Sequence, residues 1–440
     1  MQENKIKIGD LISMQDGTSK LEGVVMPHTA SNEADVIVIK LKNGYNTGIN
    51  PFTYKIKKLE SKDFDISFQK APIKEKKHLP NISLIYTGGT IGSRVDYRSG
   101  GVHMLIKPQE LLYEVPELGD IANISISNLY SIASEDMSYL EWQGIAREAY
   151  KELKAGSRGI VITHGTDTMH YSAAALSFML PNLNAPIIIT GAQRSPDRGS
   201  SDAFMNLICA TKFASQSDIA EVGVCMHTSS SDDYCGYIRG TKVRKMHTSR
   251  RDAFLPINSE FLAKTTSDKE IEYNTHYKKM DVTKGADDLM LKDKFEEKVG
   301  IIKAHPNQDP QIVDYYVQKK YKGIILEGSG LGHLPVSTKH QKFNWLKSIK
   351  DAIDAGLVIG MSSQCINGRV NPYVYTNLRL ISGAGVIYCE DMHPETAYVK
   401  LGWLIGNYGV EKAAQLLNIN LVGEISSRTE FYPYNQHQNE

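Results

Sequence analysis

The sequence of 440 residues has no excess of either charge, little cysteine and no long apolar run. Fifty Lys and Arg side chains balance fifty Asp and Glu side chains, so the formal net charge is zero. Overall charge therefore excludes a polyanion binder of the histone type, and any nucleic-acid contact is expected to be local or made by a partner. No run reaches the roughly 18 to 20 apolar residues that cross a bilayer, and the start MQENKIKIGDLISM shows no signal-peptide pattern. We expect a cytoplasmic protein without a membrane span.

Cysteine is scarce, and motifs for metals and nucleotides are missing. The cysteines form no CxxC pair, which argues against a disulfide framework and a zinc knuckle, so we expect reduced thiols that mostly fill the core. No GxxxxGK[ST] or HExxH motif occurs. We therefore expect neither a metal nor another cofactor in this chain. The five cysteines are Cys209, Cys225, Cys235, Cys365 and Cys389.

The first seventy residues are predicted to form a small separate domain. DLISM, LEGVVM, ADVIVIKL and YNTGI are short β-rich runs, and Asn43-Gly44 between two of them favours a type I′ hairpin turn, in which both central residues need positive φ. These features predict a small antiparallel β-barrel of SH3-like size. The Lys-rich segment KAPIKEKKHLP that follows is typical of a solvated linker.

Beyond the linker, apolar strands alternate with amphipathic helices. The runs ISLIYT, GIVITH, PIIITGA and EVGVCM are short and continuously apolar, as in a buried parallel sheet. YLEWQGIAREAYKELKAG has apolar residues at spacings of three and four and ends at a glycine, which predicts a helix. After a polar stretch, strand patterns restart in VGIIKAHP, KGIILEGSGLGH and GLVIGMSSQ. This order predicts an α/β fold with two doubly wound lobes.

The length also calls for several domains, because one core rarely exceeds about 250 to 300 residues. Hydrophobic residues at 41% and charged residues at 23% are typical of a folded chain. The predicted parts are a β-barrel at 1–70, a linker at 71–80, an N-terminal α/β lobe at 81–263, a connector at 264–297, a smaller C-terminal α/β lobe at 298–424 and a tail at 425–440.

Three segments stand where ligands collect in open α/β sheets, at the carboxyl ends of strands or close to them. TGGT, which ends at Thr90, follows ISLIY, and its glycines allow a sharp turn with exposed amides. HGTDT, with Thr166 and Asp167, follows GIVIT. The third is the basic segment around Lys245. Taken singly, each has a structural alternative: a glycine turn, a cap by Thr166 or Asp167 on a helix that begins near Thr168, and a solvated loop.

Together the three segments predict a catalytic site. A threonine hydroxyl is a poor nucleophile unless a base takes its proton, and a lysine is such a base only when burial or nearby cations lower its basicity. A threonine, an aspartate and a lysine at neighbouring strand ends would provide a hydroxyl, an orienting acid and a base. Amides beside the glycines would complete an oxyanion hole.

TGGT after a strand, HGTDT about eighty residues later and the segment around Lys245 resemble the L-asparaginase/glutaminase amidohydrolases. The resemblance extends from Asn81 to near residue 424. It implies that Thr90 is the primary nucleophile and that Thr166 and Asp167 work with Lys245.

The same resemblance implies a substrate-binding set. It contains Gly89, next to the nucleophile, and Ser134 with Glu135 in the segment SEDM, which would hold the amino-acid end of the substrate. Glu135 stands where the family usually has glutamine, and its carboxylate would still accept a hydrogen bond from an α-ammonium group.

EGSGLGHLP, SSQCINGRVNPYVY and EDMHPETAYVKLGWLIGNYG, with the preceding barrel, resemble the D-type subunit of archaeal-type glutamyl-tRNA(Gln) amidotransferases. That likeness implies an amidase that releases ammonia from glutamine or asparagine and passes it to a partner, the E-type subunit. The partner would bind Glu-tRNA(Gln) and use ATP and Mg²⁺. A homodimer within a heterotetramer is implied as well.

Two departures from the free asparaginases bear on this function. Thirteen residues after the nucleophile, the lid tyrosine of those enzymes is replaced by His103, and Tyr97 is a candidate substitute. Their intersubunit glutamate aligns with Tyr375. These departures favour a partner-dependent subunit. An independent asparaginase or glutaminase, and a scaffold with an inert amidase lobe, are the alternatives.

Overall fold

The computed structural model describes residues 6–7, 9–17, 19–25, 37–41, 46–61, 76–95, 102–104, 115–273 and 276–429. In the N-terminal part, five strands form one antiparallel sheet with the order β4-β3-β2-β1-β5. Alternate residues such as Ile12 and Met14 are fully buried, as expected when one face of a sheet covers a core. The strands are β1 Asp10–Asp16, β2 Ser19–Val25, β3 Ile37–Leu41, β4 Asn46–Ile49 and β5 Lys55–Ser61.

The predicted turn at Asn43-Gly44 lies outside the described residues, as does the first half of the predicted linker, residues 71–75. The flanking strands β3 and β4 do pair antiparallel, with Ile37 opposite Ile49. An SH3-like closure of this sheet stays a prediction.

An eight-stranded mixed sheet forms the centre of the first lobe. Five of its strands are parallel, in the order β9-β6-β10-β11-β12, and three antiparallel strands extend it on the β12 side. The continuously apolar runs are buried strands, as predicted; β10, for example, is buried at every residue. The strands are β6 Asn81–Gly88, β9 Asn123–Ile132, β10 Ile160–Thr163, β11 Ile187–Thr190, β12 Val222–His227, β13 Cys235–Arg239, β16 Ala263–Thr265 and β17 Glu272–Tyr273.

Helices and two small hairpins complete this lobe. The predicted amphipathic helix is α2; Ser138 and Glu141 form its capping box, and Gly156, at φ 102°, follows its C-terminal end. The helices are α1 Leu118–Ile121, α2 Tyr139–Lys154, α3 Met169–Met179 and α4 Ala203–Gln216. The hairpins pair β7 Ser93–Val95 with β8 Val102–Met104 and β14 Val243–Lys245 with β15 Phe254–Pro256.

The second lobe is built on a four-stranded parallel sheet with the order β18-β19-β20-β21. Its helix α8 packs on α3 of the first lobe, where the rings of Phe178 and Trp403 stack at 5.5 Å. The strands are β18 Val299–Lys303, β19 Gly323–Gly328, β20 Val358–Ser363 and β21 Ile387–Tyr388. The helices are α5 Ile312–Gln318, α6 Trp345–Asp354, α7 Thr376–Gly383, α8 Pro394–Tyr408 and α9 Val410–Leu416.

The segment predicted as a connector, 264–297, is more ordered than expected. Its first part contributes β16 and β17 to the first sheet, so that sheet continues beyond residue 263. Its last part packs on α8, where Phe295 lies close to Gly402. A Cβ atom added to Gly402 would lie 2.3 Å from the Phe295 ring. Strands of three and two residues are too short to show alternation, which is why the sequence pattern missed them.

In the part of the chain that the structure describes, no helix combines the length and apolar character needed to span a membrane. Four of the five cysteines are buried, and Cys365 is exposed.

Candidate active site

The candidate site lies where the strand order reverses. The first strand of the parallel set, β6, lies between β9 and β10, so the chain passes from β6 to β9 on one side and then crosses to β10 on the other. In doubly wound sheets this switch point forms a crevice at the carboxyl ends of the strands. The TGGT segment begins in the last two residues of β6, and the HGTDT turn follows β10.

The two turns touch through their backbones. Gly89 has φ 84°, and a Cβ atom on it would lie 2.5 Å from the amide nitrogen of Gly165. Only glycine fits this approach, because the obstacle is backbone that cannot rotate away. Thr87 Oγ1 donates a 2.6 Å hydrogen bond to the carbonyl of Thr163, which fixes the two strand ends together. Thr90, partly buried, opens a short 3-10 helix immediately after this contact.

Lys245 joins the second turn from β14. Its ammonium donates to Thr166 Oγ1 at 2.8 Å and to Asp167 Oδ1 at 2.7 Å. The Lys245 side chain is only 9% exposed, whereas that of Asp167 is 66% exposed. The structure therefore brings three of the predicted residues together, and Lys245 is not in a solvated loop.

The helix-cap alternative for Thr166 and Asp167 does not match the geometry. The N-cap residue of α3 is Thr168; its side chain accepts no hydrogen bond from the helix amides, and its hydroxyl donates to the carbonyl of Ser134 at 2.6 Å. Asp167 instead uses its carboxylate for Lys245.

Ser134 lies against the HGTDT turn and is 3% exposed. Its hydroxyl accepts a hydrogen bond from the amide of Asp167 at 3.2 Å, and a Cβ atom on Gly165 would meet the Ser134 side chain at 2.7 Å. Glu135 follows in the same 3-10 turn and is exposed. Ser134 is thus in contact with the cluster, and Glu135 offers its carboxylate to solvent beside it.

His164 is the first residue of the HGTDT turn, and its side chain forms hydrogen bonds within this turn and with α3. Its Nδ1 lies 2.6 Å from the carbonyl oxygen of Gly165 and its Nε2 lies 2.8 Å from Ser172 Oγ. Because a carbonyl can only accept, Nδ1 carries the hydrogen and the Ser172 hydroxyl donates to Nε2 of the neutral ring. Complete burial lowers the pKa of His164 to about 4, so the ring is neutral near pH 7.

Two positions depart from the asparaginase pattern, and the structure describes them to different extents. The backbone of His103 lies in β8, opposite Arg94 of β7, and Tyr97 lies outside the described residues. Tyr375 precedes α7 in the second lobe, is 56% exposed, and its ring lies 5.2 Å from that of His333.

Sequence reasoning missed a set of charged residues behind Lys245. The Arg244 guanidinium lies 2.7 Å from Glu395 Oε1, and Lys242 Nζ lies 2.6 Å from Asp391 Oδ2. These pairs join β14 and the residue before it to the segment EDMHPE of the second lobe. The opposite charges of TKVRK and EDMHPE were a signal in the sequence, although nothing in either segment alone identifies its partner.

Glu395 is ionised in this setting. Burial disfavours its charged form, but the hydrogen bond with His393 and the positive charge of Arg244 outweigh burial and hold the pKa of Glu395 well below its usual range. His393 Nδ1 lies 2.9 Å from Glu395 Oε2.

Three family matches cover most of the chain. Residues 81–279 match the family described as Asparaginase, N-terminal, and 298–417 match the Glutaminase/Asparaginase C-terminal domain. Residues 6–59 match the GatD N-terminal domain.

Two relatives that match this chain over nearly their whole length have the same name. The D-type subunit of the glutamyl-tRNA(Gln) amidotransferase of Pyrococcus furiosus is 47% identical over 439 residues, which is 98% of this chain and 97% of the relative. Its counterpart in Methanothermobacter thermautotrophicus is 43% identical over 432 residues, 98% of this chain and 96% of the relative. The chain belongs to the GatD family, the D-type subunits of glutamyl-tRNA(Gln) amidotransferases.

Solved structures place this family on the asparaginase fold. The thermostable L-asparaginase from Thermococcus kodakarensis aligns with a TM-score of 0.69 at 27% identity and covers 79% of this chain and 100% of its own. L-asparaginase I from Vibrio cholerae aligns with a TM-score of 0.68 at 28% identity, covering 79% of this chain and 99% of its own. The GatD family thus combines an asparaginase-like α/β fold with an additional N-terminal domain.

Proposed function

We propose that this chain is the ammonia-generating subunit of a Glu-tRNA(Gln) amidotransferase. It hydrolyses the side-chain amide of glutamine or asparagine and supplies ammonia to the E-type subunit, which converts Glu-tRNA(Gln) to Gln-tRNA(Gln) with ATP and Mg²⁺. The observation that carries the amidase part is the contact of the Lys245 ammonium with both Thr166 and Asp167 beside the TGGT turn.

In the proposed first step, the Thr90 oxygen attacks the amide carbon of the substrate. Lys245 reacts in its neutral amine form: the Thr90 proton passes through the Thr166 hydroxyl to the Lys245 amine and from there to the leaving nitrogen, and ammonia departs to leave an ester on Thr90. Amides of the glycine turn before Thr90 stabilise the negative oxygen of the tetrahedral intermediate.

In the second step, water attacks the ester. Through the Thr166 hydroxyl, the Lys245 amine accepts a proton from the water, the bond to the Thr90 oxygen breaks, and Lys245 returns that proton to the Thr90 oxygen. The product is the free acid, glutamate or aspartate. Asp167 orients the lysine throughout, because its carboxylate accepts from Lys245 at 2.7 Å.

Ser134 and Glu135 hold the amino-acid end of the substrate in this proposal. The Ser134 oxygen accepts from the Asp167 amide, which leaves the serine's own hydrogen to donate to a substrate carboxylate. The exposed Glu135 carboxylate accepts from the substrate's α-ammonium group. Gly89 belongs to this binding set in the proposal because it lets the turn before Thr90 lie directly against the turn that carries Asp167.

The two departures at His103 and Tyr375 are the reason to propose that the E-type subunit controls amide hydrolysis. An amidase that hydrolysed glutamine freely would waste it, so contact with the E-type subunit and charged tRNA is proposed to complete the site. A hundredfold activation needs only about 2.7 kcal/mol of differential affinity. The small N-terminal domain, proposed as an SH3-like barrel, and a homodimer within a heterotetramer belong to the same assembly.

Ammonia release tests this function, with and without the E-type subunit and Glu-tRNA(Gln). The proposal expects little release from the isolated chain and a large gain when both are added. An independent asparaginase or glutaminase, the alternative that the likeness to solved L-asparaginases favours, would release ammonia at full rate alone. No release under any condition would contradict both.

A further inference from the structure

The strand that carries Lys245 is short and is anchored from the second lobe. β14 has three residues and pairs with β15 in a two-stranded sheet, so few ladder hydrogen bonds fix it. Side chains immediately before Lys245 provide further contacts: Arg244 reaches Glu395 at 2.7 Å, and Lys242 reaches Asp391 at 2.6 Å. The backbone that presents the lysine is therefore held by acids of the other lobe.

The acids lie on one segment, residues 391–396, which enters α8 and is named the anchor segment here. Within it, the Thr396 hydroxyl donates to the carbonyl of Thr241 at 3.0 Å and lies 2.9 Å from Nε2 of His393. His393 in turn contacts Glu395. The anchor segment thus meets the chain before Lys245 at three points, through Thr241, Lys242 and Arg244.

Alternation along β14 links the anchor segment to catalysis. Neighbouring residues in a strand point to opposite faces, so a pull on Arg244 toward Glu395 turns Lys245 toward Thr166. The long lysine stem is flexible, and its nitrogen must be held to a fraction of an ångström for proton transfer. A fixed backbone therefore limits how far the Lys245 ammonium strays from the Thr166 hydroxyl.

We propose that Glu395, acting through Arg244, is a positioning residue for Lys245. The inference rests on the proposed amide hydrolysis and assigns to the second lobe a role in the reaction within the same chain. The Arg244 and Glu395 side chains are 28% and 10% exposed, so solvent screens their attraction less than at an open surface. His393 supports the carboxylate from its other side.

Glu395→Gln tests this role in the full complex with the E-type subunit and charged tRNA. The expected result is a fall in kcat of about tenfold to a hundredfold with KM for the amide substrate within about twofold, because a misplaced base slows chemistry without changing substrate contacts. A residue that merely joins the lobes would lower the thermal midpoint and leave kcat of the folded enzyme unchanged.

A double variant guards against misfolding, since one unpaired buried charge is strongly destabilising. Arg244→Met with Glu395→Leu removes both charges, which buried pairs usually tolerate in stability. Its kcat should fall as in the single variant. The matched control is Glu221→Gln: Glu221 pairs with Arg239 at 2.5 Å, is similarly shielded, and lies directly before β12, at the amino ends of the parallel strands. It should retain wild-type kcat.

Wild-type kcat in both Glu395 variants, with Thr90→Ala inactive, would overturn the positioning role alone. An equal fall in kcat for Glu221→Gln would also overturn it. If Thr90→Ala kept wild-type turnover in the same assay, the proposed amide hydrolysis would fail, and the positioning role with it.

Discussion

Gly89 and Gly165 face each other across two strand ends, and a Cβ atom on Gly89 would lie 2.5 Å from the amide nitrogen of Gly165. This contact places the turn before Thr90 against the turn that carries Thr166 and Asp167. Glycine at position 89 is thus required by the site as well as by its φ of 84°.

Gly89→Ala should therefore damage catalysis by displacing Thr90. An added methyl group meets backbone on the opposite turn, so the two turns must separate by several tenths of an ångström or more. We expect at least a hundredfold loss of kcat in the ammonia-release assay, a size typical of misplaced reacting groups.

The matched control for that change is Gly156→Ala. Gly156 also has positive φ, 102°, but nothing lies within 4 Å of its added Cβ atom. Its cost should be backbone strain of roughly 1 to 2 kcal/mol, visible in thermal unfolding, with normal kcat. Normal kcat in Gly89→Ala as well would show that the contact between the turns is unimportant for the reaction.

Lys245→Met should lose at least two orders of magnitude in kcat, because a positioned base contributes about 10² to 10⁴-fold. Methionine keeps most of the apolar stem and removes the contacts to Thr166 and Asp167. Lys212→Met is a suitable control, since Lys212 is 7% exposed in the same lobe and donates to the carbonyl of Thr266. A loss below tenfold for Lys245→Met would exclude a catalytic role.

The sequence motifs predicted which residues carry the reacting groups of the site. They predicted less well how those groups are arranged in space. Thr166, Asp167 and Lys245 could be selected because their residue types suit one reaction, and their strand-end positions follow from apolar runs. The contact between Lys245 and Thr166 spans 79 residues, and only the fold determines it. The pairing of Arg244 with Glu395 was beyond prediction, because it depends on how two lobes pack.

Glu135→Ala should weaken substrate binding more than it slows turnover. The proposed ionic contact is with the α-ammonium group, which takes no part in bond breaking, so KM should rise while kcat changes less. Asp136→Ala is the control, because Asp136 is an exposed acid in the same 3-10 turn. Unchanged binding of glutamine and asparagine in Glu135→Ala would refute the substrate-binding role.

Stability of the folded chain should fall as the pH is lowered from about 6.5 to about 4, in part because of His164. Burial lowers the pKa of His164 to about 4 in the folded state, against about 6.5 in an unfolded chain. Within this window the unfolded state binds a proton that the folded state excludes, so acidification favours unfolding. At about 1.4 kcal/mol per pH unit, His164 accounts for about 3 kcal/mol across the window.

His164→Asn should flatten this pH dependence, since asparagine can still donate to the carbonyl of Gly165 but does not titrate. His170 contributes in the same window because burial lowers its pKa to about 3, so the variant should lose part of the histidine slope rather than all of it. Thermal unfolding midpoints at pH 7, 6 and 5 measure the difference. The exposed His340, changed to asparagine, is the control and should leave the slope unaltered. Parallel pH profiles for wild type and His164→Asn would mean that His164 is protonated in the folded state as easily as in the unfolded chain.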